Sequence, residues 1–149
     1  MMRAILFIFL FLSFSSSAMA DEGMIEQASP YSVTQTMQRL EMAIRKGGLT
    51  IFAVIDHAKG AAKVGQKLRP TQLIIFGSPK GGTPLMQCNQ TAGIDLPLKI
   101  LVWENAQGKV MLGYNDPVWI AKRHNVPDCA VAPKLHKNMA KLVQKALEQ

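Results

Sequence analysis

Apolar residues recur at Val33, Met37, Leu40 and Ile44, three or four apart, with mostly polar positions between them. That spacing lays one apolar stripe along a helix. Ser32-Val33-Thr34-Gln35 gives capping-box spacing at its start, and Gly47-Gly48 follows where a left-handed cap is wanted. From Leu49 to Ile55 the run becomes continuous, apolar and β-branched, which predicts a strand covered on both faces. Asp56 then suits the N-cap of a short helix over His57 to Gln66. Arg69-Pro70 closes that helix before a second buried strand, Thr71 to Phe76. The order to this point is αβαβ.

The stretch Gly77-Ser78-Pro79-Lys80-Gly81-Gly82-Thr83-Pro84 is dense in turn-formers and predicts a loop, with Thr83 as N-cap and Pro84 in the first turn of a helix ending near Gln90. Leu98 to Trp103 and Lys109 to Tyr114 read as two strands joined by a hairpin over Glu104 to Gly108. Asn115-Asp116-Pro117 starts a helix that runs through His124. Leu135, Met139, Leu142 and Ala146 mark one face of a last helix. No internal repeat, low-complexity tract or interdomain linker interrupts this order.

The N-terminus changes the picture. Arg3 precedes the apolar run Ala4 to Leu12, and Ala18-Met19-Ala20 closes the segment with small residues before Asp21 and Glu22. Those are the parts of a signal peptide cleaved after Ala20, and the run is about half the roughly 20 residues that an uncleaved membrane anchor needs. With no cysteine after the run there is no lipid attachment point, so the expected product is residues 21–149 free in a bacterial periplasm, a single domain without a transmembrane anchor. Removing residues 1–20 loses one basic and no acidic residue, so a net charge of +7 becomes +6. A basic surface attracts anionic headgroups, acidic substrates or nucleic acid, the last excluded outside the cytoplasm. Cys88 and Cys129 read first as a disulfide in that oxidising setting, worth about 4 kcal/mol by chain entropy. Two inert buried thiols, or one thiol serving a ligand, stay open.

Several stretches carry a resemblance: Tyr31-Ser32-Val33, Ile51 to His57, Leu68 to Met86 (LRPTQLIIFGSPKGGTPLM), Leu96 to Glu104 and Tyr114 to Pro117. Together they resemble the bacterial family called domain of unknown function 302, over roughly Ser29 to His124. The resemblance implies an α+β fold, a single compact domain with a mixed β-sheet of four or five strands packed with helices. It implies no settled activity. Cys88, Cys129 and the helix after Pro133 lie outside the shared motifs, so a disulfide would be a local feature.

Candidate chemistry centres on the Gly77–Pro84 stretch, where glycines free backbone N–H groups, a helix N-terminus follows and Lys80 adds charge. Ser78, Lys80, Gly81, Gly82 and Thr83 are the candidate contacts for a carboxylate or phosphate. Without a closing Gly-Lys-Ser/Thr it is not a Walker A loop, and the alternative is a tight turn with an exposed lysine. An acid–base site would use His57 with Glu104 or Asp116; the alternative is that Asp56 and Asp116 cap helices and His124 meets helix-end carbonyls. His57, His124, His136, Met86 and Cys88 are metal-ligand types but show no ligand spacing, so no metal or other cofactor is predicted. Trp103, Glu104, Tyr114, Asn115, Asp116 and Trp119 line a pocket or, more simply, belong to core and caps. Lys134, Lys137, Lys141 and Lys145 share an outer helix face, either solvated or docking an acidic partner or lipid headgroups.

The leading expectation is a non-enzymatic periplasmic module binding a small ligand, anions included, or a periplasmic partner protein. A hydrolase or isomerase centred on His57 is the second, and an assembly or stress-protection protein the third. Homo-oligomerisation is left open.

Overall fold

The computed structural model describes residues 23–148, so the predicted signal peptide and its cleavage site lie outside the described residues. The elements are β1 (Met24–Ala28), α1 (Val33–Lys46), β2 (Thr50–Asp56), α2 (His57–Lys63), β3 (Thr71–Gly77), α3 (Pro79–Cys88), a 3-10 helix (Gln90–Ile94), β4 (Leu98–Glu104), β5 (Val110–Asn115), α4 (Pro117–Arg123) and α5 (Ala132–Leu147). The strands form one sheet in the order β1-β5-β4-β3-β2.

This is the expected α+β domain with five strands, but the sheet is not mixed: all four pairings are antiparallel. The connections from β2 through β5 each leave and re-enter at one end of the sheet, whereas a parallel neighbour needs a crossover to the other end. β1 escaped the sequence reading because it is short and polar, and it pairs at the sheet edge with Met24 opposite Asn115.

Helix α1 forms as its pattern predicts. Ser32 and Gln35 make the reciprocal capping box, and Val33, Met37, Leu40 and Ile44 are buried. They meet Ile74, Phe76, Ile100, Val102, Leu112 and Tyr114 of the sheet and Met139, Leu142, Val143 and Ala146 of α5. Each fully buried Leu or Ile there contributes about 1.5–3 kcal/mol. A second cluster, with Leu85, Ala92, Ile120, Ala121, Ala132 and Leu135, surrounds the bonded pair Cys88–Cys129, whose Cα atoms are 6.1 Å apart.

Two local expectations are corrected. β2 is not covered on both faces: it is an edge strand with a bulge between Ile51 and Ala53, and Phe52, Val54 and Ile55 are exposed. A continuous apolar run reads alike whether its second face is covered or bare. The Gly77–Pro84 stretch is not a loop, because α3 begins at Pro79 with Ser78 as N-cap and carries Pro84 inside it. Pro79 takes the first-turn position assigned to Pro84, and Gly81 in helical form packs closely on α5, where an added Cβ would lie 3.3 Å from Leu135 Cδ2.

Candidate functional site

On the helix side of the molecule a groove of about 1390 Å³ opens between α1, α3 and α5, above the end of the sheet where β3 runs into α3. Small-molecule pockets commonly hold roughly 300–1,000 Å³, so this is a roomy, open cleft. Phe76, Leu98, Met139 and Leu142 form its floor, and Met42 and Phe52 stand at its margin, 62% and 55% exposed. Among the described residues six cationic side chains line it against one carboxylate, Glu148: Arg39, Lys46, Lys80, Lys134, Lys141 and Lys145.

Arg39 is spoken for. Its Nε donates to the Ala146 carbonyl at 2.6 Å, its terminal nitrogen donates to the Glu148 carbonyl, and its guanidinium lies 4.3 Å from the centre of the Tyr31 ring. Tyr31 donates to the same Glu148 carbonyl at 3.1 Å, so the pair pins the end of α5 to α1. The five lysine ammonium groups, by contrast, have no hydrogen bond or ion pair among the described residues. Clustered like charges over a low-dielectric floor raise the local concentration of counter-ions.

The predicted contacts Ser78, Lys80, Gly81, Gly82 and Thr83 all line this groove. The glycines do not supply free amides, because Gly81 and Gly82 both donate to the Ser78 carbonyl, at 3.0 and 3.1 Å. What remains to meet a ligand is the Ser78 hydroxyl, which makes no capping bond, the Thr83 hydroxyl and the Lys80 ammonium. Lys134, Lys141 and Lys145 join them, whereas Lys137 points elsewhere. Sequence reasoning missed Lys46, Met42 and Phe52. Met42 carried a signal, an apolar residue off the buried stripe of α1; Phe52 in its apolar run carried none.

The acid–base set is not assembled. The Asp56 carboxylate accepts from the Lys59 backbone N–H at 2.8 Å and from Gln72 at 3.3 Å, while His57 is exposed at the first position of α2. Glu104 and Asp116 lie at opposite ends of β5, since Glu104 pairs with Val110 and Asp116 follows Asn115. Asp116 instead caps α4 and accepts from His136 Nδ1 at 2.9 Å. Nor do the aromatic and polar residues converge: Tyr114 is buried in the core, Trp103 lies over Gly113 on the far face, and Trp119 stacks near Gly23. Burial, helped by the Asp116 charge, pushes the Tyr114 phenol above its usual range. Of the metal-ligand types, Cys88 is in the disulfide, His136 meets Asp116 and His124 meets Asp95, while Met86 lines the groove and His57 is exposed.

His124 belongs to an arrangement that the sequence did not reveal. Its Nε2 meets Asp95 Oδ2 at 2.7 Å and its Nδ1 meets the Thr91 hydroxyl at 2.8 Å; Arg123 donates to the other Asp95 oxygen at 2.8 Å. A hydroxyl, an imidazole and a carboxylate in series have the order of a nucleophilic triad. Here the Thr91 hydroxyl is shared with Asn89 Oδ1 at 2.9 Å, and Asn89 also donates to the His124 carbonyl at 2.8 Å. These bonds together tie the 3-10 helix to the end of α4.

A family profile described as "Domain of unknown function DUF302" matches residues 25–146. The chain belongs to the DUF302 family. The match extends beyond the motifs noted in the sequence and takes in most of β1 and α5. A crystal structure of an uncharacterized conserved DUF302 protein from Bacillus stearothermophilus superposes with a TM-score of 0.76 at 17% identity, covering 84% of this chain and 98% of the other, so the two share a fold. Two relatives named as fluoride-specific ion channels FluC 1, from Brucella suis biovar 1 and Brucella abortus biovar 1, are each 43% identical over 110 residues, or 74% of this chain. This DUF302 chain spans only about two-fifths of their length, 43% and 41%. Among its described residues no helix is long and apolar enough to cross a membrane.

Proposed function

We propose that this DUF302 domain is a non-enzymatic binding module, working in the periplasm, that holds an anion with an apolar body in the groove between α1, α3 and α5. The observation that carries this reading is the pairing of five unpartnered lysine ammonium groups with an apolar floor. A carboxylate or phosphate head meets Lys80, Lys134, Lys141 and the Ser78 hydroxyl, while the body replaces water over Phe76, Leu98 and Leu142. The periplasmic part of the reading is supported by the signal-peptide pattern in residues 1–20 and by the Cys88–Cys129 bond.

Titration calorimetry of the secreted form with laurate, dodecyl phosphate and neutral dodecanol tests it. The two anions should bind and dodecanol only weakly, and Lys80→Glu with Lys141→Glu should weaken laurate by about tenfold or more, as removal of charge-assisted contacts does. If neither anion binds at millimolar concentration, or if dodecanol binds equally well and the charge reversals change nothing, the reading fails.

A second reading rests on the Brucella relatives: the domain serves a fluoride-handling membrane protein, its lysine cluster gathering the small anion. Fluorine NMR of fluoride titrated with the protein, together with the fluoride tolerance of a deletion strain, would show line broadening and lost tolerance. Unchanged signals and unchanged growth would end that reading.

A further inference from the structure

The second face of the sheet lies outside both core clusters, and its side chains are partly exposed. Side chains alternate along each strand, and the registers place Leu73, Ile75, Leu101, Trp103, Met111 and Met24 on the face opposite α1 and α5. None of them belongs to, or packs against, either core cluster. Ile55 extends the patch onto β2, where it pairs with Leu73 and is 39% exposed. Its centre is built for close contact. Gly113 leaves room for the Trp103 ring, which an added Cβ would meet at 3.2 Å, with Met24 alongside. Contiguous apolar surface of this kind marks an interaction site.

Charge decides what covers it. The helix side carries the lysine groove and repels a second copy of a basic chain, whereas the charged strand residues described on the open face are Glu26 on β1 and Lys99 on β4, whose ammonium donates to the Asp95 carbonyl at 3.0 Å. A near-neutral apolar face meets its own copy without net like-charge repulsion, as an isologous contact about a two-fold axis requires. Five strands about 4.8 Å apart and six or so residues long span a flat footprint of roughly 500 Å², and side-chain relief raises the accessible area toward the roughly 800 Å² per partner of a stable interface.

From this face we infer that two copies of the chain pack sheet against sheet, burying Leu101, Trp103 and Ile75 in a helix–sheet–sheet–helix dimer with the lysine grooves on its two outer sides. Aligned sheets pack about 10 Å apart, a spacing that interdigitated Leu and Met side chains fill.

Sedimentation velocity of the secreted form over a concentration series should show a species of twice the chain mass. Leu101→Lys and Ile75→Lys should each raise the dissociation constant about 100-fold or more, as hot-spot loss does, while keeping the parent circular dichroism. Hydroxyl-radical footprinting of the unmodified protein gives a readout that needs no variant: oxidation of Trp103 and Met111 should fall as concentration rises through the dimer range, with Met42 on the helix side unchanged. A chain that stays monomeric at high micromolar concentration, a dimer that survives both substitutions, or equal labelling of Trp103 and Met111 at all concentrations overturns the proposal.

Discussion

Replacing Asp95 by alanine tests the clamp between the 3-10 helix and α4. The carboxylate is 9% exposed and its two partners differ in what they lose. Arg123 is 48% exposed and can turn to water, so its share is under about 1 kcal/mol. His124 is 8% exposed and cannot, so its ring is left with a buried polar group unsatisfied, at about 1–3 kcal/mol. Together these put the loss in Asp95→Ala at about 2–3 kcal/mol, which for a domain of this size lowers the melting midpoint by about 7–10 °C. Urea unfolding of the oxidised protein at neutral pH, followed by circular dichroism, reads the change as a lower midpoint at unchanged slope. A cycle with His124→Ala isolates the pair, with an expected coupling of about 1.5–3 kcal/mol. A loss under about 0.5 kcal/mol, or a coupling near zero, refutes the clamp.

Three further perturbations have defined outcomes. Gly23 has φ +68°, and an added Cβ would lie 2.1 Å from the Trp119 ring, so Gly23→Ala should cost about 1–3 kcal/mol in the same urea assay; a neutral result would mean that the β1 entry repacks freely. Because burial and Asp116 raise the Tyr114 phenol, the folded state resists its ionisation: the associated stability is intact below the unfolded value near pH 10 and is lost as pH rises through the higher folded value. Alkaline unfolding should therefore steepen above about pH 10, and Tyr114→Phe should remove that part of the slope, measured against tyrosinate absorbance. Joint replacement of Cys88 and Cys129 by serine, 41 residues apart, should cost about 4 kcal/mol, seen as a matching fall in the urea midpoint; no fall would mean that the chain ring adds nothing to the folded state.

The parts of the fold that the sequence made legible are those where one local rule decides. The capping box at Ser32 and the stripe through Leu40 and Ile44 specify α1 without reference to anything distant. The β4–β5 hairpin is similar, with Asn105 accepting from the Gln107 and Lys109 backbone N–H groups and Gly108 at φ +73°. Strand β1 was not legible, because Met24–Ala28 becomes a strand only through the free edge of β5. The choice between Pro79 and Pro84 as the start of α3 was equally non-local, since it turns on Gly81 packing against Leu135 from a helix more than fifty residues away. At the site, Lys80 and three of the four α5 lysines were foreseen as separate features. Their convergence with Lys46 over one apolar floor is a product of packing between three helices, which no spacing in the chain encodes.

The Cys88–Cys129 bond ties the last residue of α3 to the turn that leads into α5, and both helices line the groove. The aperture is consequently set by covalent chemistry as well as by packing. With the bond intact, α3 is held against α5, where Gly81 lies on Leu135. Once it is reduced, apolar contacts such as Leu85, Ala132 and Leu135 keep the two helices together. The seam between α3 and α5 that borders the groove is thereby a covalent fixture of the chain, and its loss would leave that border to packing alone.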